Sequence, residues 1–206
     1  MKGLQSCSEK GTILSFQEKS LAIDCSSWLH KSVYSISEHY VEAYEQNQID
    51  HKCIEKSANY VFYRCQELLQ SAKIREIYLV MDGKRCPLKA VTNEDRERRR
   101  RANLEEARAL KQQGKHSKSE EKYKACIKIG DELTKRVIKE VKRRCQQCNL
   151  PVHDIWSPYE ADAQMVKLCM DGVVDAIVTE VRRIYNTFVL LLNNGTDHQS
   201  CSFLSC

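Results

Sequence analysis

Three short apolar segments of the chain each end in a carboxylate. The acids are Asp24, Asp82 and Glu180. Buried strands of a parallel sheet read as such apolar runs, and their carboxyl ends meet along one edge, where ligands bind. Converging acids repel one another unless cations lie between them, and Mg²⁺ takes carboxylate, water and phosphate oxygens. The pattern predicts metal-assisted phosphoryl chemistry, although any one of these acids could instead simply cap the next helix.

Two further acids, Glu160 and Asp162, lie at the start of a helix predicted from Pro158 to about Met170. Ser157 and Glu160 make a capping-box pattern with Pro158 at the first helical position, which by itself would explain Glu160. Asp162 lies roughly 200° from Glu160 around a regular helix. Both acids are nevertheless in the first turns and could approach a site from one helix end, so capping and metal binding both stay open.

The cationic residues are concentrated in one segment. Residues 84 to 146 hold 21 Lys and Arg against 10 Asp and Glu, whereas the remainder holds 12 against 18. A basic module in an acidic body matches a polyanion-binding surface beside a cation-binding site, and a solvated helix is the alternative. Spacings of three, four and seven predict one phosphate-gripping stripe of five side chains. They are Lys89, Arg96, Arg99, Arg100 and Asn103.

The elements that must position these residues alternate between strands and helices. Strands are predicted at residues 19–24, 74–82, 152–156 and 173–180, and amphipathic helices at 29–44 and 54–69. Residues 92–146 read as two long charged helices joined by a turn at 113–117. This alternation predicts an α/β fold with a mainly parallel sheet flanked by helices and an inserted basic helical hairpin.

Composition limits the other possibilities. The chain has 206 residues and 42% hydrophobic residues, and no apolar run approaches the ~20 residues of a membrane span, so we expect a soluble, intracellular protein without a membrane partner. The 11 cysteines are then expected to be reduced, and most of them to be small buried hydrophobes. Cys145 and Cys148 have a metal-like spacing but lack a second pair at zinc-ribbon distance.

Several motifs together resemble a known nuclease family. In chain order they are Asp24 leading into Trp28-Leu29-His30-Lys31, then Val80-Met81-Asp82-Gly83, Arg101-Ala102-Asn103-Leu104, Pro158-Tyr159-Glu160-Ala161-Asp162-Ala163-Gln164 and Asp175-Ala176-Ile177-Val178-Thr179-Glu180. Over residues 12–180 they resemble the flap endonuclease/XPG superfamily, and Trp-Leu-His-Lys resembles its eukaryotic exonuclease 1 branch. The Pro-Tyr-Glu-Ala-Asp-Ala-Gln block is highly specific.

The resemblance implies a PIN-like nuclease core in which the basic hairpin is an arch. It also implies a nuclear, Mg²⁺-dependent enzyme with two ions that acts 5′ to 3′ on duplex DNA ends and flaps in replication, repair and recombination. Mismatch-repair proteins are the partners that it suggests. Matched by position, the family's metal-site acids are Asp24, Asp82, Glu160 and Asp162.

The same resemblance implies roles for the basic stripe. Lys89 and Arg96 match the residues at the base of the arch that contact the scissile phosphate. Arg99, Arg100 and Asn103 are expected to bind DNA beside them. Four regions follow: an N-terminal nuclease region at 1–91, the arch at 92–146, an internal nuclease region at 147–180, and an unrelated, disordered tail at 181–206.

After Glu180 the chain departs from the family pattern. The family continues with Asp-Ser-Asp, whereas this chain has Val181, Arg182 and Arg183, and the family's DNA clamp has no counterpart in residues 181–206. We therefore expect a truncated or differently spliced product whose second metal site is impaired and whose cutting is weak or absent. The alternative is a non-catalytic, DNA-binding remnant of the same family.

Overall fold

The computed structural model describes residues 8–10, 13–84, 90–179, 188–192 and 201–205. The chain divides into two compact units, one of residues 1–27, 62–84 and 141–206 and one of residues 28–61 and 85–140. The first, the sheet unit, contains the strands, and the second, the helical unit, is built of helices. Three helices contribute residues to both units: α1 (Cys25–Ser32), α3 (His51–Gln66) and α6 (Asp131–Gln147).

The described strands form one sheet in the sheet unit. They are β1 (Ser8–Lys10), β2 (Ser20–Asp24), β3 (Glu76–Met81), β4 (Val152–Trp156), β5 (Ala176–Thr179), β6 (Phe188–Leu192) and β7 (Cys201–Ser205). Their order is β1-β7-β6-β5-β2-β3-β4. Strands β5, β2, β3 and β4 are parallel, and β6 is antiparallel to both of its neighbours. The predicted α/β class with a mainly parallel sheet is confirmed.

The parallel strand β2 is buried on both faces. Leu21, Ala22 and Ile23 of β2 are at most 1% exposed, as expected for a parallel strand covered on both sides. Helix α7 (Ala161–Met170) lies on one face, where Met165 and Leu168 pack with residues of β2, β3 and β5. This packing fixes the helix whose first turn carries Asp162.

The tail departs from the sequence expectation. Disorder was expected over residues 181–206, but residues 188–192 and 201–205 are strands of the sheet. Residues 188–192 are a run of large apolar residues, and β6 pairs with the edge of β5 from Ile177 to Thr179. The physical reason is that an apolar, strand-forming run satisfies the backbone groups of an otherwise open edge.

The helical unit corrects the predicted hairpin. Helices α4 (Ala90–Gln112) and α5 (His116–Cys126) are joined at the predicted turn, where Gly114 has φ +74°. The second long helix, however, is broken at residues 127–130, after which α6 begins. Ile127 is buried there, and the Tyr40 hydroxyl donates to the Lys128 carbonyl at 2.8 Å. These tertiary contacts prevent residues 127–130 from joining α5 and α6 into one continuous helix.

The remaining α-helix that the structure describes in this unit is α2 (Ser37–Glu45), which follows a short 3-10 helix at Tyr34–Ile36. Because residues 28–61 group with 85–140, the bounds of the helical unit do not coincide with the predicted arch at 92–146. None of the described helices is both long and apolar enough to span a membrane. The expectation for the cysteines is confirmed among the described ones, since six are buried and Cys148 is exposed.

Candidate functional site

Two predicted acids lie together at one edge of the sheet. Asp24 is the last residue of β2 and Asp82 follows the last residue of β3, and in the parallel register Asp24 pairs with Val80. Ser26 joins the two carboxylates. Its backbone N–H donates to Asp24 Oδ1 at 2.9 Å, and its hydroxyl donates to Asp82 Oδ2 at 2.8 Å. The topology thus brings the two strand-end acids to one place, as predicted.

The start of α7 brings the second pair of acids to the same edge. Helix α7 begins at Ala161, whose N–H donates to Asp82 Oδ1 at 2.9 Å. Glu160 is the N-cap residue in an extended conformation and is half-buried, while Asp162 is exposed in the first turn. Asp82 therefore links β3 to the helix that carries Asp162.

The predicted capping box is wrong. Ser157 lies three residues before the N-cap of α7, and its buried hydroxyl has no hydrogen-bond partner among the described residues. The physical reason is a close backbone contact between two loops: Gly83 N–H donates to the Tyr159 carbonyl at 2.5 Å and Lys84 N–H to the Pro158 carbonyl at 3.1 Å. This contact keeps residues 157–160 out of the helix, so the Asp82 carboxylate accepts the Ala161 N–H instead.

Gly83 is required for that contact. A Cβ atom added at this position would lie 1.7 Å from the Ser157 carbonyl oxygen, which no side chain could tolerate. No role is predicted for Gly83 or Ser26 from the sequence alone. The spacing of Asp24 and Ser26 is a signal for Ser26, because an Asp side chain commonly accepts the N–H two residues later. For Gly83 the local sequence offers no comparable signal, since the clash is with a distant loop.

Several negative charges lie close together at this edge. The pKa of Asp24 is raised to about 6, chiefly by burial and in addition by the negative charges of Asp82 and Asp162, against the opposing hydrogen bond from the Ser26 N–H. Within the described part of the chain, no Lys or Arg forms an ion pair with Asp24, Asp82 or Asp162. The three acids thus repel one another, and a cation between them would relieve that repulsion.

The donor set suits a hard cation. Among the described residues, no three of these acids have carboxylate oxygens all within 4.8 Å of one another. Mg²⁺ usually keeps several waters and takes only one or two protein carboxylates, so this wider spacing fits it better than a closed protein cage would. Two site residues, Lys89 and Glu180, lie outside the described residues.

The predicted basic stripe on α4 is divided. Arg96 and Arg99 are exposed and make no ion pair with a described residue. Arg100 is half-buried and donates to Glu97 at 3.0 Å, and Asn103 accepts from Lys122 at 3.4 Å. Arg96 and Arg99 are therefore free to meet a phosphate, whereas Arg100 and Asn103 are already engaged within the helical unit.

Comparison with known proteins agrees with this fold. Residues 2–103 match the XPG N-terminal domain. The chain is 27% identical over 177 residues to exonuclease 1 of Danio rerio, a match that spans 86% of this chain and 20% of the relative. It is likewise 27% identical over 165 residues to exodeoxyribonuclease 1 of Schizosaccharomyces pombe, spanning 80% of this chain and 26% of that relative. The chain thus corresponds to about a quarter or less of these curated relatives.

A solved structure shows the same fold. The catalytic core of Rad2 in complex with DNA substrate superposes with a TM-score of 0.52 at 20% sequence identity, covering 87% of this chain and 43% of that one. The motifs, the matched domain and the fold agree. The chain therefore belongs to the XPG/flap endonuclease superfamily of nucleases and has an exonuclease 1-like sequence.

Proposed function

We propose that this chain is a Mg²⁺-dependent DNA nuclease region with 5′-to-3′ exonuclease and flap endonuclease specificity, and that as it stands it cuts weakly or not at all. The observation that carries the proposal is the gathering of Asp24, Asp82 and Asp162 at one sheet edge, where burial chiefly, and the two neighbouring negative charges in addition, raise the pKa of Asp24 to about 6. Perturbed carboxyls without cationic partners at a sheet edge are typical of catalytic sites.

The acids of the edge would hold the metal. Asp24, Asp82, Glu160 and Asp162 would supply carboxylate oxygens, and bound Mg²⁺ would activate a water molecule and stabilise the leaving oxygen. Ser26 and the N–H of Ala161 keep the Asp82 carboxylate oriented toward the same edge as Asp24. The chain's own contribution is thus a fixed set of negative charges.

The basic helix would bind the DNA backbone. Arg96 and Arg99 are exposed cations without an ion pair among the described residues, and such cations bind phosphates and displace counterions. By family resemblance, Lys89 and Arg96 would contact the scissile phosphate. Arg100 and Asn103 would join only after giving up their contacts with Glu97 and Lys122, so we place them second.

The second candidate is a non-catalytic DNA-binding remnant of the family. The sequence after Glu180 favours it, because Val181 and Arg183 stand where the family has aspartates. Both replacements remove a negative charge, and the arginine adds a positive one that would repel Mg²⁺ by roughly 1 to 4 kcal/mol per unit pair at 4 Å. The same resemblance suggests repair and recombination, nuclear localisation and mismatch-repair partners for either candidate.

Nuclease and binding assays on one protein preparation separate the candidates. A 5′-flap duplex incubated with Mg²⁺ should be bound but cut feebly, and Asp82→Ala should remove any cutting while Asp171→Asn, at an exposed site at the end of α7, should not. Val181→Asp with Arg183→Asp should strengthen Mg²⁺ binding without restoring full cutting. Efficient cutting by the unmodified chain would refute its proposed weakness, and failure to bind DNA would exclude both candidates.

A further inference from the structure

A second group of metal-binding side chains lies in the helical unit. Among the residues that the structure describes, His39, Asp50 and Cys53 form the one set of three His, Cys, Asp or Glu side chains whose ligand atoms all lie within 4.8 Å of one another. His39 Nε2 and Asp50 Oδ2 are 2.7 Å apart. His39 belongs to α2 and Cys53 to α3, so two helices converge on this group.

Helix capping accounts for only one of the three residues. Asp50 precedes α3, and its Oδ1 accepts the Cys53 N–H at 2.9 Å, as a capping Asp does. That bond, together with those from the Cys53 thiol and His39, lowers the pKa of Asp50 to about 2, so its carboxylate is ionised. Capping does not require an imidazole from another helix or a thiol against the same carboxylate.

The group is accessible from solvent. The His39 and Asp50 side chains are 41% and 43% exposed, and both line a cavity of about 700 Å³ that also contacts Glu42 and His116. Cys53, in contrast, is fully buried beneath them. The arrangement offers three protein ligands and an open side where a water molecule could complete a fourth position.

We propose that His39, Asp50 and Cys53 bind a zinc-type divalent cation. One imidazole nitrogen, one carboxylate oxygen and one thiolate sulfur are ligands that Zn²⁺ accepts in a tetrahedral site, and a soft sulfur ligand disfavours Mg²⁺. On binding, the S–H bond of Cys53 breaks, a metal–sulfur bond forms and the proton passes to solvent. The site is thereby distinct in chemistry from the all-carboxylate edge of the sheet, and it does not depend on the proposed nuclease function.

Cobalt provides the test, because Co²⁺ reports a sulfur ligand through a near-ultraviolet charge-transfer band. The full chain, freed of metal with a chelator and titrated with Co²⁺, should develop this band at one equivalent, and Zn²⁺ should abolish it by displacement. Cys53→Ser should remove the band, whereas Cys148→Ser, which removes an exposed thiol, should retain it. Co²⁺ at the carboxylate edge would give no such band.

Two further variants keep the test valid if Cys53→Ser does not fold. His39→Gln changes a partly exposed side chain, and Asp50→Asn preserves a good capping residue while removing the charge. Each should weaken Co²⁺ binding by at least about tenfold, since even supporting contacts around a metal contribute roughly that much, with an unchanged circular dichroism spectrum. Absence of the band in the unmodified chain, its persistence in Cys53→Ser, its loss in Cys148→Ser, or unchanged affinity in both His39→Gln and Asp50→Asn would each overturn the proposal.

Discussion

Carboxylates have opposite surroundings at the acidic edge of the sheet unit and on the charged surface of the helical unit. At the edge, Asp24 lies near two further carboxylates and its pKa is raised to about 6, chiefly by burial. In the helical unit, Glu42 accepts hydrogen bonds from Arg108 and Tyr123, the first of which chiefly lowers its pKa. Of these two described regions, the edge has the unpaired acids that a ligand binding through several carboxylates would need, whereas acids of the helical unit such as Glu42 are paired.

The pairing in the helical unit extends along its surface. Lys111 pairs with Glu38, Lys128 pairs with Glu97 at 2.5 Å, and further pairs of this kind lie on α4, α5 and α6 or between α4 and α5. Exposed pairs of this kind contribute about 0 to 1 kcal/mol each. The exposed Arg96 and Arg99 are therefore conspicuous, because neither has an ion-pair partner among the described residues.

The largest expected effect is a loss of stability when a buried side chain of β3, the strand that leads into Asp82, is truncated. Leu79 of β3 is 1% exposed, so Leu79→Ala should lower the free energy of unfolding by about 2 to 5 kcal/mol through reduced burial and a cavity. Leu110→Ala, the same change at a half-buried position of α4, should cost distinctly less. Urea denaturation followed by circular dichroism measures both. Equal losses of stability would mean that the two regions do not differ in packing.

The next effect concerns the raised pKa of Asp24. Its folded pKa of about 6 lies above the usual 3.8, so the folded state binds the proton more tightly and stability falls as pH rises from about 4 to 6. In chelator at pH 7.5, Asp24→Asn should therefore raise the free energy of unfolding, by about 2 to 3 kcal/mol.

Glu42→Gln is the matched control, with the opposite sign. Because the folded pKa of Glu42 is lowered, its contribution is present at neutral pH and disappears as pH falls through the folded value. The variant should lose about 0.5 to 1 kcal/mol at pH 7.5. Unfolding curves measured between pH 4 and 8 test the pair of variants. If Asp24→Asn were destabilising at pH 7.5, the edge would not be a site of unrelieved repulsion.

A moderate effect is expected on DNA binding. Arg96→Ala with Arg99→Ala should weaken binding to duplex DNA and reduce the slope of log affinity against log salt by about 0.9 for each phosphate that the protein no longer neutralises. Arg98→Ala is the control, because its side chain already pairs with Asp95 at 2.8 Å. Fluorescence anisotropy at several salt concentrations gives both slopes. An unchanged slope in the double variant would remove these arginines from the DNA surface.

The smallest effect is the stability change of that same control. Arg98 pairs with Asp95 at a position where its side chain is 80% exposed, and such pairs three residues apart contribute only a few tenths of a kcal/mol. Arg98→Ala should therefore change the free energy of unfolding by no more than about 0.5 kcal/mol in urea denaturation. A decrease above about 1 kcal/mol would show that this surface ion pair contributes more to stability than exposed pairs usually do.

The acidic edge could be predicted because its signal is local in the chain. Each strand-end acid follows an apolar run, and a parallel topology then places the acids together without further information. Asp24 and Asp82 follow this rule directly. The turn at Gly114 was predictable for the same reason, since a glycine among polar residues is a local signal.

The features that escaped prediction depend on contacts between distant residues. The break before α6 rests on Tyr40 meeting residue 128, and the start of α7 depends on Asp82 meeting Ala161, 79 residues later. The engagement of Asn103 likewise depends on Lys122 of another helix, whereas the Arg100–Glu97 pair is local to α4. The strands in the tail require the edge of β5 as a partner. Composition and spacing carry none of these distant pairings.

The close contact at Gly83 determines which substitutions the chain can tolerate at this position. Because the 1.7 Å approach leaves no room for any Cβ, a saturation scan should find alanine at this position almost as damaging as tryptophan, unlike at an ordinary buried site, where damage grows with size. The damage arises because there is no room for a Cβ atom, whatever the chemistry of the rest of the side chain. Second-site suppressors should therefore fall in the opposing segment, at residues 157–159, where a changed loop path can reopen the gap.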